Sequence, residues 1–111
     1  MGPVMITLLQ VTTTTASLEE AERIGRALVE ARLAACAQVI GPLTSFYSWQ
    51  GRVENASEWY CILKTTEDMY SALETRIKSL HSYDTPEIIA VTLVRSTEEY
   101  STWIAGSVGP G

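Results

Sequence analysis

The chain is 111 residues long and 46% hydrophobic, enough for one domain over 1–111 that buries roughly two-thirds of its unfolded surface without staples. Its net charge of -5 comes from 13 acidic and 8 basic residues that are interspersed, which excludes nucleic acid and anionic membrane as expected partners. With no basic leader and no apolar run long enough to span a bilayer, the expected location is cytoplasmic.

In chain order, Val4 to Thr12 is apolar and β-branched, as in a central strand covered on both faces, and Thr12-Thr13-Thr14-Thr15 is expected to end it. A first helix follows: Ser17 and Glu20 make a capping box, Ala21, Ile24, Leu28, Ala31 and Ala35 recur at helical spacing, and Glu19/Arg23 and Glu22/Arg26 pair on the other face. Ala35 to Ile40 reads as a second strand, punctuated by Gly41-Pro42. Ser45 to Thr65 is a long hairpin carrying Phe46, Tyr47, Trp49, Trp59 and Tyr60, with its turn at Gln50-Gly51. Thr65 or Thr66 then caps a second helix with Glu67 and Asp68 in its first turn and a stripe of Tyr70, Leu73, Ile77 and Leu80. The loop from His81 to Pro86 leads to a last strand, Glu87 to Val94. Ser96 with Glu99 caps a short terminal helix that presents Tyr100, Trp103 and Ile104, and the tail Gly109-Pro110-Gly111 is expected to fray.

Two strand-helix-strand halves joined by a hairpin predict an α+β, ferredoxin-like sandwich, βαββαβ plus a C-terminal helix, with helices on one face of a four-stranded antiparallel sheet. A strand from Val53 to Thr65, 13 residues, reaches roughly 43 Å, whereas a compact domain of this size has a radius of gyration of about 13 Å. The overhang exposes aromatic surface and an unpaired edge, and the second face of the sheet has no helical layer of its own. Both features predict an oligomer built through the hairpin.

For chemistry, Cys36 and Cys61 sit in apolar runs and are expected to be buried free thiols, with a metal ligand or a disulfide as the alternatives. His81, the only histidine, stands beside Tyr83, Asp84 and Glu87, and offers an imidazole nitrogen to Cu(II) or Zn(II) with Asp84 as an oxygen donor; the alternative is an exposed loop histidine bonded to backbone. Glu58, Lys64 and Glu87 lie in or next to apolar strands, where a bare charge is costly. Either Lys64 pairs with Glu58 or Glu87 across a subunit interface, or these residues form a polar pocket with Tyr47 and Trp49 as walls and Tyr83 with Glu87 as partners. Trp59 and Trp103 are expected to pack in the core or an interface. No phosphate loop, nucleophile elbow, His-Glu-x-x-His or Cys-x-x-Cys is present, so no enzyme is expected.

Five fragments, Ala34-Ala35-Cys36-Ala37-Gln38-Val39, Tyr47 to Glu54, Glu58 with Leu63-Lys64-Thr65, His81 to Ile88, and Tyr100 with Trp103-Ile104, resemble the CutA divalent-cation-tolerance proteins in order and spacing, from about Val4 to Ile104. The resemblance implies a ferredoxin-like subunit in a tight homotrimer, similar in shape to the PII signalling trimers. It also implies a link to tolerance of divalent metal ions, copper above all, with a ligand cleft between subunits near Tyr47, Trp49, Glu58, Lys64, Tyr83 and Glu87. A scaffolding or PII-like signalling trimer without direct metal binding is the other class of function. The chain departs from the family pattern at Ser82, where a proline usually follows the histidine, which predicts a looser loop before Tyr83. Leu80 in front of His81 and the threonine-rich end of the first strand do not reproduce a copper site of one thiolate and two imidazoles.

Overall fold

In the computed structural model, which describes residues 6–110, the chain runs β1 (Leu8–Thr15), α1 (Leu18–Glu30), β2 (Cys36–Trp49), β3 (Arg52–Thr66), α2 (Tyr70–Leu80), β4 (Ile88–Leu93) and α3 (Glu98–Ser107). The strands form one antiparallel sheet in the order β2-β3-β1-β4. Alternate residues of the central strands, Leu9 and Val11 on β1 and Cys61 and Leu63 on β3, meet Ala21, Ile24 and Leu28 of α1 and Leu73 and Ile77 of α2 in one apolar core. This is the expected α+β, ferredoxin-like layering.

The opposite face stays largely open. A smaller cluster of Leu8, Ala35 and Ile104, with Leu93 and Val108 against it, shows α3 covering one end. Beyond that end Ile40, Ile89 and Val91 are each more than half exposed, at 56%, 53% and 54%. The hairpin of β2 and β3 turns at Gln50 and Gly51, whose φ values of 50° and 77° are the left-handed pair of a tight hairpin turn. It carries the molecule to 55 × 25 × 21 Å with a radius of gyration of 15.2 Å, above the roughly 13 Å of a compact domain this size.

Several element boundaries differ from the sequence expectation. The threonine run does not end β1 but completes it: Thr12 and Thr13 pair with both β3 and β4, Thr14 and Thr15 with β3 alone, and Thr13 and Thr15 are fully buried. Val4 and Met5 lie outside the described residues. Gly41-Pro42 does not interrupt β2. It is an edge strand, so the missing proline N–H removes no ladder bond, and pairing resumes with a register shift between Ile40 and Leu43. Gly41 is needed there, since the Trp59 indole occupies the place a Cβ would take.

At the start of α2, Thr66 donates its hydroxyl to the Asp68 carboxylate instead of capping the backbone, and a 3-10 turn over Glu67–Met69 precedes the helix. The cap of α3 is Thr97, which accepts from the Tyr100 N–H at 3.2 Å, rather than Ser96. On α1, Arg26 reaches Glu30 at 3.9 Å and Arg23 donates to the Leu80 carbonyl at 3.3 Å, in place of the expected Glu22 and Glu19 pairings. The tail is held rather than frayed at Gly109. Arg32 donates from Nε to its carbonyl at 2.6 Å, and the Gly109 N–H donates to the Arg32 carbonyl at 2.9 Å. Gly111 lies outside the described residues.

Candidate functional site

α2 ends at Leu80, and the next three residues are tied to three different elements. His81 places its imidazole, with no exposed side-chain surface, against the end of β1. Its Nε2 lies 2.8 Å from the Thr14 carbonyl, and its Nδ1 lies 3.1 Å from the Tyr83 backbone nitrogen. A carbonyl only accepts and a backbone N–H only donates, so the ring is neutral with its proton on Nε2. Ser82 is bound by Glu20 of α1. Its N–H and hydroxyl donate to the two carboxylate oxygens at 2.8 and 3.0 Å, and the Ala16 N–H adds a third contact at 3.3 Å. Burial pushes the Glu20 carboxyl up. The bonds from Ser82 and Ala16 outweigh burial and hold it below the ordinary carboxylate range.

Tyr83 then crosses to the hairpin, where its hydroxyl donates to Glu58 Oε2 at 2.7 Å. Burial, the Glu58 hydrogen bond and the charges of Glu58 and Glu20 push the Tyr83 phenol far above the ordinary tyrosine range, and Tyr47 is near enough to contribute. Glu58 is itself buried, beyond the last residue of β3 that pairs with β1. Its other oxygen has no partner among the described residues, which leaves an acceptor for a hydrogen-bond donor or a cation. The structure thus joins Glu58 and Tyr83 within one protomer at the root of the overhang, while Tyr47 pairs with Glu54 nearer the hairpin turn.

The remaining expected site residues lie elsewhere. Lys64 donates to Gln38 Oε1 at 2.7 Å on the open sheet face, six residues along β3 from Glu58 and so roughly 20 Å away. It does not pair with Glu58 or Glu87 within the protomer. Trp49 is exposed at the hairpin tip, and Glu87 and Asp84 are exposed around the start of β4. Trp59 packs against the core through Gly41, and Trp103 stacks on Tyr100 at 5.6 Å on exposed α3 surface.

The metal assignment of His81 and Asp84 does not fit this geometry. Both imidazole nitrogens are engaged, the ring is buried, and Asp84 stands away in solvent. Among the described residues no three His, Cys, Asp or Glu side chains are grouped to hold an ion. Cys61 is buried, where desolvation raises its thiol to about 11, while Cys36 is only half-buried and its sulfur lies 3.8 Å from the Tyr100 hydroxyl. Both are free thiols. The expectation of a looser loop at Ser82 is also corrected: a proline there has neither the N–H nor the hydroxyl that Glu20 receives.

Glu20 is the residue that sequence reasoning placed elsewhere. The capping-box signal was correct as far as the Ser17 hydroxyl, which accepts from the Glu20 N–H at 3.1 Å. The carboxylate, however, turns to a loop 62 residues later, a partner that local spacing does not reveal.

The protein-family model described as CutA1 divalent ion tolerance protein matches residues 9–107. The divalent-cation tolerance protein CutA of Thermus thermophilus is 42% identical over 96 residues, which cover 86% of this chain and 93% of that one. That of Archaeoglobus fulgidus is 41% identical over 95 residues, covering 86% and 92%. Among solved structures, CutA1 from Oryza sativa superposes with a TM-score of 0.92 at 29% identity, over 96% of this chain and 97% of that one. The Archaeoglobus structure is described as periplasmic and an Arabidopsis thaliana relative as chloroplastic, so compartment varies among similar chains. Among the described residues no helix is long and apolar enough to cross a membrane.

Proposed function

Because the chain belongs to the CutA1 divalent ion tolerance family, we propose that it acts in divalent-cation tolerance as a homotrimer whose inter-subunit clefts bind a small ligand at Glu58, Tyr83 and Tyr47. The observation that carries this reading is the buried Glu58 carboxylate. Tyr83 satisfies one oxygen, and the other has no hydrogen-bond partner among the described residues. That oxygen is still reached by solvent, so a ligand that brings a donor or a positive charge can meet it there. Trp49 stands at the hairpin tip and Lys64 roughly 20 Å along β3 from Glu58, so they reach it only if another copy supplies them, which is why the proposal includes assembly. The uncovered apolar sheet face and the overhang support a second copy as the cover. The ion itself is not assigned to His81, whose nitrogens are already used.

Native mass spectrometry of the purified protein, before and after chelator and then with Cu(II), tests both parts. A trimer that retains a small-molecule adduct, lost in Glu58→Gln, supports the cleft. A monomer overturns the assembly. A stoichiometric copper adduct that survives Glu58→Gln and disappears in His81→Ala overturns the cleft reading and returns the metal to the histidine.

A further inference from the structure

The two hydrogen bonds of His81 do different work. Nε2–H fastens the ring to the Thr14 carbonyl of β1, and Nδ1 receives the N–H of Tyr83, the residue whose hydroxyl reaches Glu58. The two rings lie 4.9 Å apart at 45°. Behind them Glu20 holds the intervening Ser82 through both its N–H and its hydroxyl. The ring is therefore a strut between the sheet and the backbone of Tyr83, buried where water cannot replace either bond.

We propose that His81, backed by Glu20, is a positioning residue that sets Tyr83 on Glu58. This rests on the reading above for what Tyr83 serves, but not for how Tyr83 is held. His81 acts as the neutral Nε2–H tautomer, and the charges facing it or the adjoining end of α2 are Glu20, with Oε2 at 3.7 Å from Nδ1, and Arg23 on the Leu80 carbonyl. Without an acceptor at Nδ1, the Tyr83 N–H is left to open, and the phenol loses the fixed origin that delivers it to the carboxylate.

Two substitutions separate this role from simple packing. In His81→Asn the side-chain oxygen takes the place of Nδ1 as acceptor for Tyr83; in His81→Gln the side-chain nitrogen takes the place of Nε2 as donor to Thr14. Hydrogen exchange at the Tyr83 amide of the assembled, ligand-free protein is expected to speed up about tenfold or more in His81→Gln, and to stay within about threefold of the parent in His81→Asn. Tyr83→Phe is expected to lower the melting temperature of the parent and of His81→Asn but not of His81→Gln, where the hydroxyl has already left Glu58. Equal acceleration in both variants, or the reverse order, overturns the proposal. If His81→Gln does not fold, Glu20→Gln carries the test: faster exchange at Ser82 and Tyr83 with the Cys61 amide unchanged supports it, and unchanged exchange at Tyr83 overturns it. Because no ligand is used, an empty cleft and a misassigned strut give different results.

Discussion

At the scale of single residues, Glu20 shows how one side chain joins elements distant in sequence. It lies in the first turn of α1, which favours its charge through the helix dipole, and is buried by the loop after α2. Its folded carboxyl sits below its ordinary value because the hydrogen bonds outweigh burial, so the ionised form stabilises the folded state. The sign follows directly. That stabilisation is complete above the ordinary pKa of about 4.5 and is lost as pH falls through the lower folded value. Glu20→Gln is expected to cost about 1.5–3 kcal/mol at neutral pH, the range for hydrogen bonds to a charged group, and to flatten the acid limb of stability. Thermal melts of parent and variant from neutral to strongly acidic pH check both, and parallel acid limbs would disprove the assignment.

At the scale of elements, β2 survives Gly41-Pro42 because proline is placed on an edge and glycine admits Trp59. A methyl group at 41 must displace the half-buried Trp59 indole, so Gly41→Ala is expected to destabilise by about 1–3 kcal/mol. Gly106 is the control. A Cβ there meets nothing within 4 Å and the position is helical, so Gly106→Ala is expected to stabilise by about 0.5–1 kcal/mol. Denaturant unfolding of the two variants under one condition decides it, and equal effects at 41 and 106 would remove the packing explanation.

At the scale of the whole molecule, the sheet has a helical layer on one face and only α3 on the other. Ile40, Ile89 and Val91 remain outside that cover while the hairpin projects beyond the core. Burying this face against another copy removes apolar surface from water, and a charge placed there must be desolvated without a partner. Ile89→Asp is therefore expected to shift the protein from trimer to monomer at micromolar concentration, with little change in far-ultraviolet circular dichroism. Light scattering coupled to size exclusion checks it. A trimer of unchanged mass would show that the face is not the interface.

The sequence by itself determined the order and type of the elements and the hairpin turn. These depend on local preferences: helical spacing at Ala21, Ile24 and Leu28, β-branched runs, and a glycine after Gln50. It also marked Glu58 as a charge in an apolar strand and Tyr83 as a loop aromatic, since residue type alone makes those positions costly or unusual. Tertiary structure decided what each side chain faces. It carried the threonine run into β1, moved His81 from solvent to a buried strut, gave Glu20 to Ser82, and set Lys64 on Gln38 within the protomer. The reason is that periodicity reports which face a residue occupies, whereas hydrogen-bond partners are fixed by the crossing of elements far apart in the chain, and no local spacing encodes that crossing.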